Sequence, residues 1–207
     1  MYQLMGFATQ NTMKVLYVLE ELGVKYEFKM IDLMKGENKS PEFLKWTPVG
    51  KVPVLLHGDD SLFESGAICR YVANVENSPL YPENKLERAK VDQWMDFFSC
   101  HLGRWLSSLY YELVIKPKSG RGSTNQDNCT EARGFCQQQL AIVEKWLSSN
   151  SYLVGNSLTI ADLFAFAYLE QHRSIDLSLK DYPHILNWYA RIDQRESVKK
   201  ARKILAL

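Results

Sequence analysis

The 207-residue chain has only four cysteines, Cys69, Cys100, Cys129 and Cys136, with no Cys-x-x-Cys pair and no metal-like spacing to histidine. A disulfide-stapled domain, a zinc module and a dithiol redox motif are therefore not expected, and a reducing compartment is the simpler setting. Charge of one sign is also missing. The formal net charge is +1, from 25 basic and 24 acidic side chains, so no global field points to nucleic acid or an anionic membrane. No apolar run has the length of a membrane span, and the chain enters strand-like sequence at once, without a signal-peptide pattern. The histidines, His57, His101, His172 and His184, are scattered, and Gly120-Arg121-Gly122-Ser123 lacks the spacing of a phosphate-binding loop. The expectation is a cytoplasmic globular protein with no metal site and no prosthetic group.

What is present is an ordinary core-forming composition, 46% hydrophobic, with length for one large or two small domains. Residues 50–67, GKVPVLLHGDDSLFESGA, organise the first half. A buried strand is predicted over 52–57, turn chemistry at Gly58-Asp59-Asp60, and a short returning strand over 61–63. Ser65 stands where a helix begins, with Ile68, Tyr71, Val72 and Val75 following at helical spacing. Pro53 cannot donate to a sheet ladder, so it belongs at a strand's first residue or in a special turn. A cis bond before it would turn the Val52 amide and carbonyl outward, where an extended ligand could pair with them. Glu64 and Ser65 would sit at a helix N-terminus, a favourable place for a ligand carboxylate.

Upstream, residues 2–6 suggest a strand. A loop then leads to a helix carrying Val15, Leu16, Val18, Leu19 and Leu22, with Gly23 as a C-cap. A half-buried strand follows over 25–32, then an irregular segment over 35–45. Thr9 and Asn11 precede or open the first helix and, by themselves, read as caps. Pro79, Pro82 and Asn84 mark a linker. Everything beyond it has helical spacing: one long helix over 86–113, a polar loop over 116–127, and further helices around Phe135 to Leu147, Leu163 to Ala167 and Ile185 to Ile192. Thr159 and Asp162 make a capping box, with Leu158 and Leu163 as its hydrophobic staple. The fold class is α/β followed by all-α, with domains over 1–78 and 86–207 joined by a linker over 79–85.

Four segments, in order, carry a family likeness: Leu19-Glu20-Glu21-Leu22-Gly23, Gly50-Lys51-Val52-Pro53, Phe63-Glu64-Ser65-Gly66-Ala67-Ile68 and Thr159-Ile160-Ala161-Asp162. The chain resembles the cytosolic glutathione transferases over essentially its whole length. Residues 32–44 look most like the phi and theta-like branches, and Thr9-Gln10-Asn11 like the bacterial nu-type branch. The resemblance implies a thioredoxin-like N-terminal domain, an all-helical C-terminal domain, a homodimer with the long helix at its interface, and glutathione as co-substrate.

Carried over residue by residue, Val52 before a cis Pro53 would pair its backbone with the cysteinyl part of glutathione. Glu64 and Ser65 would hold the γ-glutamyl end, and Lys39 and Lys51 would approach the glycine carboxylate. Thr9 takes the position of the hydroxyl that stabilises the thiolate, with Asn11 beside it; Thr12, Lys14 and Val15 complete that pattern. The implied function is conjugation of the glutathione thiolate to a small hydrophobic electrophile. Two alternatives are glutathione-dependent disulfide reduction or peroxidase chemistry, and a non-catalytic interaction module. Cys69 reads as a small buried apolar residue.

Overall fold

The computed structural model describes residues 1–206. Strand β1 (Tyr2–Gly6) leads into helix α1 (Gln10–Leu22), then β2 (Tyr26–Met30). Alternating side chains on β1 bury Leu4 completely, and the apolar stripe of α1 buries Val15, Leu16, Val18 and Leu19. Gly23 ends α1 in the left-handed region at φ 65°, where a side chain would be strained. The segment read as irregular is more ordered than expected: a 3₁₀ turn over Glu37–Lys39 is followed by the short helix α2 (Pro41–Leu44). Ser40 caps α2, its hydroxyl accepting from the Phe43 amide at 3.2 Å.

Strands β3 (Val54–His57) and β4 (Asp60–Phe63) form the predicted hairpin, and α3 (Ser65–Val75) follows. The sheet runs β2-β1-β3-β4, parallel between β1 and β2 and antiparallel elsewhere. The β3 ladder starts at Val54 rather than at 52, as a proline in the preceding position requires. The α3 cap is Glu64, one residue earlier than the serine expected there, with Ser65 as the first helical residue.

Helices α4 (Lys85–Phe97) and α5 (Gly103–Tyr110) are stretches of the predicted long helix, which is interrupted by two π turns and runs on past residue 113 into α6 (Lys116–Lys118), within the expected loop. The π turns span Phe98–Leu102 and Tyr111–Ile115. Gly103 follows the first because a Cβ there would stand 2.2 Å from the Phe98 carbonyl oxygen and 2.5 Å from the Tyr168 ring. The expected polar loop shrinks to residues 119–125, bounded by α6 and by α7 (Gln126–Leu147). Its anchor is the buried Glu112 carboxylate, which accepts from the Asn125 amide and the Lys116 ammonium, each at 2.9 Å.

Helix α8 (Ile160–Leu169) opens with the predicted capping box. The Asp162 carboxylate accepts from the Thr159 amide (2.9 Å) and hydroxyl (3.0 Å), the Leu153 amide (2.8 Å) and Trp188 Nε1 (2.9 Å), the last on α9 (Pro183–Asp193). The final helix, α10 (Glu196–Ile204), does not belong to the helical unit. Contacts divide the chain into residues 84–193 and a second unit formed by 1–83 with the segment from 194 onward. Arg195 donates to Glu21 on α1 at 2.8 Å, and Ser197 binds the same carboxylate. The helical domain expected over 86–207 therefore gives up its last helix, whose partners lie on α1.

Candidate functional site

Between the start of α1 and the start of α3 lies a cavity of about 130 Å³, lined by Asn11, Val49, Lys51, Val52, Pro53, Phe63, Glu64 and Ser65. It is built on the buried cluster of Met5, Ile31, Phe43 and Val54, against which Val52 and Phe63 pack. The Val52–Pro53 peptide is cis. Among the described residues, the Val52 amide and carbonyl have no hydrogen-bond partner. Gly50 sets the approach to this segment at φ 58°, with its carbonyl taken by Asn38 Nδ2 at 2.7 Å. A Cβ on Gly50 would stand 3.0 Å from the Asn38 carbonyl, so backbone and space both favour glycine.

Glu64 adopts φ 69° and ψ 110°, a conformation that costs a non-glycine residue about 1–3 kcal/mol. Its carboxylate is exposed, and neither it nor the Ser65 hydroxyl makes a hydrogen bond within the chain among the described residues. The first amides of α3 have no intrahelical acceptor, and the helix dipole adds partial positive charge there. The cavity floor thus offers an anion and anion-binding donors side by side. That combination complements an α-amino acid zwitterion.

On the opposite side, Asn11 presents its carboxamide, with Oδ1 accepting from Lys14 Nζ at 2.8 Å. Lys14 is 1% exposed; burial drives its pKa well below the ordinary lysine value, while Cys69 and Glu64 pull it back upward. Thr9 caps α1: its hydroxyl accepts from the Thr12 amide at 3.3 Å and stands 3.1 Å from the Thr12 hydroxyl, which accepts from the Phe7 amide at 3.3 Å. When Thr12 donates to Thr9, both Thr9 acceptor sites are filled and the Thr9 proton is left for an external acceptor.

The structure brings together six of the predicted residues, Asn11, Lys51, Val52, Pro53, Glu64 and Ser65. Thr9 stands just outside the lining, at the cap of α1, and Lys39 is an exposed side chain ending the 3₁₀ turn, also outside it. Val49 and Phe63 line the cavity without having been singled out, because an apolar residue beside a strand reads as core. Lys14 appeared in the sequence pattern, but only its burial and its contact with Asn11 give it weight. Cys69 is fully buried, donates to the Lys14 carbonyl at 3.6 Å, and has its thiol pushed up to about 12 by burial, the profile of an inert thiol. Among the described residues no cluster of three metal-ligating side chains occurs.

Residues 2–74 match the glutathione S-transferase N-terminal domain, and residues 107–196 match its C-terminal domain. The chain belongs to the glutathione S-transferase family. It is 36% identical over 202 residues to a probable glutathione S-transferase of rice (Oryza sativa subsp. japonica), covering 95% of this chain and 92% of that one. The structure of glutathione S-transferase-I bound with lactoylglutathione superposes with a TM-score of 0.90 at 32% identity, over 98% of this chain and 99% of that chain. A rice elongation factor 1-gamma is 34% identical over 203 residues, 94% of this chain but 46% of its own length. The fold is therefore the one that the resemblance implied, a thioredoxin-like α/β domain followed by a helical domain, and two of the relatives named are glutathione S-transferases.

Proposed function

We propose that the cavity binds glutathione and that the chain is a glutathione transferase acting on small hydrophobic electrophiles. The observation that carries this reading is the unpartnered Val52 main chain set beside Glu64, Ser65 and the open N-terminus of α3. The γ-glutamyl ammonium would face the Glu64 carboxylate, and its carboxylate the Ser65 hydroxyl and the first α3 amides. The cysteinyl backbone would pair with Val52, and Lys51 would stand near the glycine carboxylate, with the outlying Lys39 contributing longer-range charge. This places the thiol toward Asn11 and the α1 cap.

A free thiol titrates near 8.5, so little of it is nucleophilic at neutral pH. One unit of pKa shift needs about 1.4 kcal/mol of preference for the thiolate, and one hydrogen bond to a charged group gives about 1.5–3 kcal/mol. The Thr9 hydroxyl and the Asn11 carboxamide together suffice for a shift of one to two units. The sulfur lone pair then attacks the electrophilic carbon, and the displaced bond's electrons leave with the departing group. Glutathione is consumed as co-substrate and no prosthetic group takes part. On the likeness to glutathione S-transferases the protein is read as a homodimer, and its free cysteines fit a reducing, cytoplasmic setting; among the described residues no helix is long and apolar enough to cross a membrane.

The likeness to elongation factor 1-gamma favours a second reading, a glutathione-transferase fold serving as an interaction module without turnover. One set of measurements separates the two. Retention on immobilised glutathione and conjugation of a halogenated nitroaromatic support the transferase; retention with reduction of a small mixed disulfide but no conjugation shifts the activity to disulfide reduction. A protein that neither binds the matrix nor turns over either substrate is the interaction module.

A further inference from the structure

Lysine is almost never buried without a specific partner, because taking an ammonium out of water is costly. Lys14 is nonetheless 1% exposed, three residues beyond Asn11 on α1, with its Nζ 2.8 Å from Asn11 Oδ1. An ammonium has donors and no acceptor, whereas a carboxamide carries its acceptor and its two donors on opposite branches. Protonated Lys14 must therefore take the oxygen, which leaves the amino branch of Asn11 for the cavity that Asn11 lines. We infer that Lys14 is a positioning residue, holding the Asn11 carboxamide with its donor face toward the bound sulfur so that the site favours thiolate over thiol. An amino group facing the sulfur stabilises an anion but offers a neutral thiol nothing to donate to. Without Lys14 the carboxamide is free to present either branch, and preorganisation is lost.

This rests on the reading of the cavity as a glutathione site. It adds a pH signature. The lock holds while Lys14 keeps its proton and is released as pH rises through its lowered pKa, below the ordinary lysine value of about 10.4. The groups bearing on that proton are Glu64 and Cys69, on the side of α3. On the α10 side of α1, the Glu21–Arg195 pair lies about two turns further along the helix.

The test measures the pH dependence of bound-glutathione thiolate absorbance, with kcat and KM, for the native protein, Lys14→Met, Lys14→Arg, Asn11→Ala and Lys14→Met with Asn11→Ala. Lys14→Met is expected to raise the pKa of the bound thiol by about one unit and lower kcat about tenfold at neutral pH, with KM for glutathione within about twofold. In the Asn11→Ala background the same change should cost less than about threefold, since the group it positions is gone. Lys14→Arg should keep the low thiol pKa and abolish the alkaline loss of activity, because a guanidinium does not deprotonate. Equal effects of Lys14→Met in both backgrounds overturn the inference. If Lys14→Met does not fold, the Asn11 side-chain amide protons of the native protein decide by NMR: they shift when glutathione is added above the pKa of its bound thiol, and unmoved resonances overturn it. A native protein that binds no glutathione removes the site reading and this inference together, whereas tight binding with additive variants removes the inference alone.

Discussion

Glu64 and Asp162 are both acids in the first turn of a helix or at its cap, and their surroundings differ in every respect. Asp162 is fully buried and accepts from two amides, a hydroxyl and an indole N–H, which tie residues 153–162 to α9. Glu64 is exposed, sits in a strained left-handed conformation, and its carboxylate makes no hydrogen bond within the chain among the described residues. Where buried donors and acceptors are all matched, polarity serves the fold. Where polar groups are held open on strained backbone, as at Glu64, they are left for the ligand proposed above.

The largest expected effect tests the saturated side. Asp162→Ala leaves four donors without an acceptor and should cost about 3–5 kcal/mol, lowering the thermal midpoint by about 10 °C while the folded fraction still binds glutathione normally. Calorimetry with a glutathione titration checks both halves. On the open side, Glu64→Gly should weaken glutathione binding about 10- to 100-fold, since a charge-assisted contact is lost, without lowering the thermal midpoint, because glycine accepts φ 69° freely. A midpoint that falls as far as for Asp162→Ala would break the comparison.

Thr9 stands between the two cases, as cap and as proposed donor. Thr9→Val should lower turnover about tenfold at neutral pH, with binding within about threefold, and cost about 1 kcal/mol of stability from the lost cap; steady-state kinetics beside thermal melts separate these, and Thr9→Ser should recover both. Glu112 sharpens the folding side. Its carboxyl is held down to about 2 by the Asn125 amide, then by Lys116 and Asn128. A depressed acid stabilises the fold above its ordinary pKa, and that contribution is lost as pH falls from about 4.3 toward 2. Glu112→Gln should therefore remove an acid-sensitive component and speed amide exchange across residues 119–125, with unchanged glutathione affinity. Lys39→Ala is the smallest: an exposed cation outside the cavity lining should alter glutathione affinity by less than about twofold, measured by calorimetry.

Much of the fold was legible in the amino-acid order. The alternation in residues 26–30, the helical stripe from Val15 to Leu22, Gly23 as a C-cap and the Thr159–Asp162 box are local signals, and local signals survive in sequence. Two features did not. The π turns in the long helix are one: at the first of them Tyr168 fills the space a side chain at position 103 would need, and such crowding leaves no periodic trace in the helix itself. The placement of α10 answers to Glu21, far away in the chain, through Arg195 and Ser197.

The same division runs through the site. Residue types and spacing alone put a proline after Val52, an acid and a serine at the start of α3 and hydroxyl and amide groups at the start of α1, because turns, caps and strand ends draw on a small set of residues. Only the folded chain decided which of these share one cavity, that Asn11 faces inward, and that Lys14 lies buried behind Asn11. Convergence of α1, the 49–53 loop and the α3 N-terminus depends on how helices lie over the sheet. That packing is set by long-range contacts and side-chain volume, and neither is written in any short stretch of sequence.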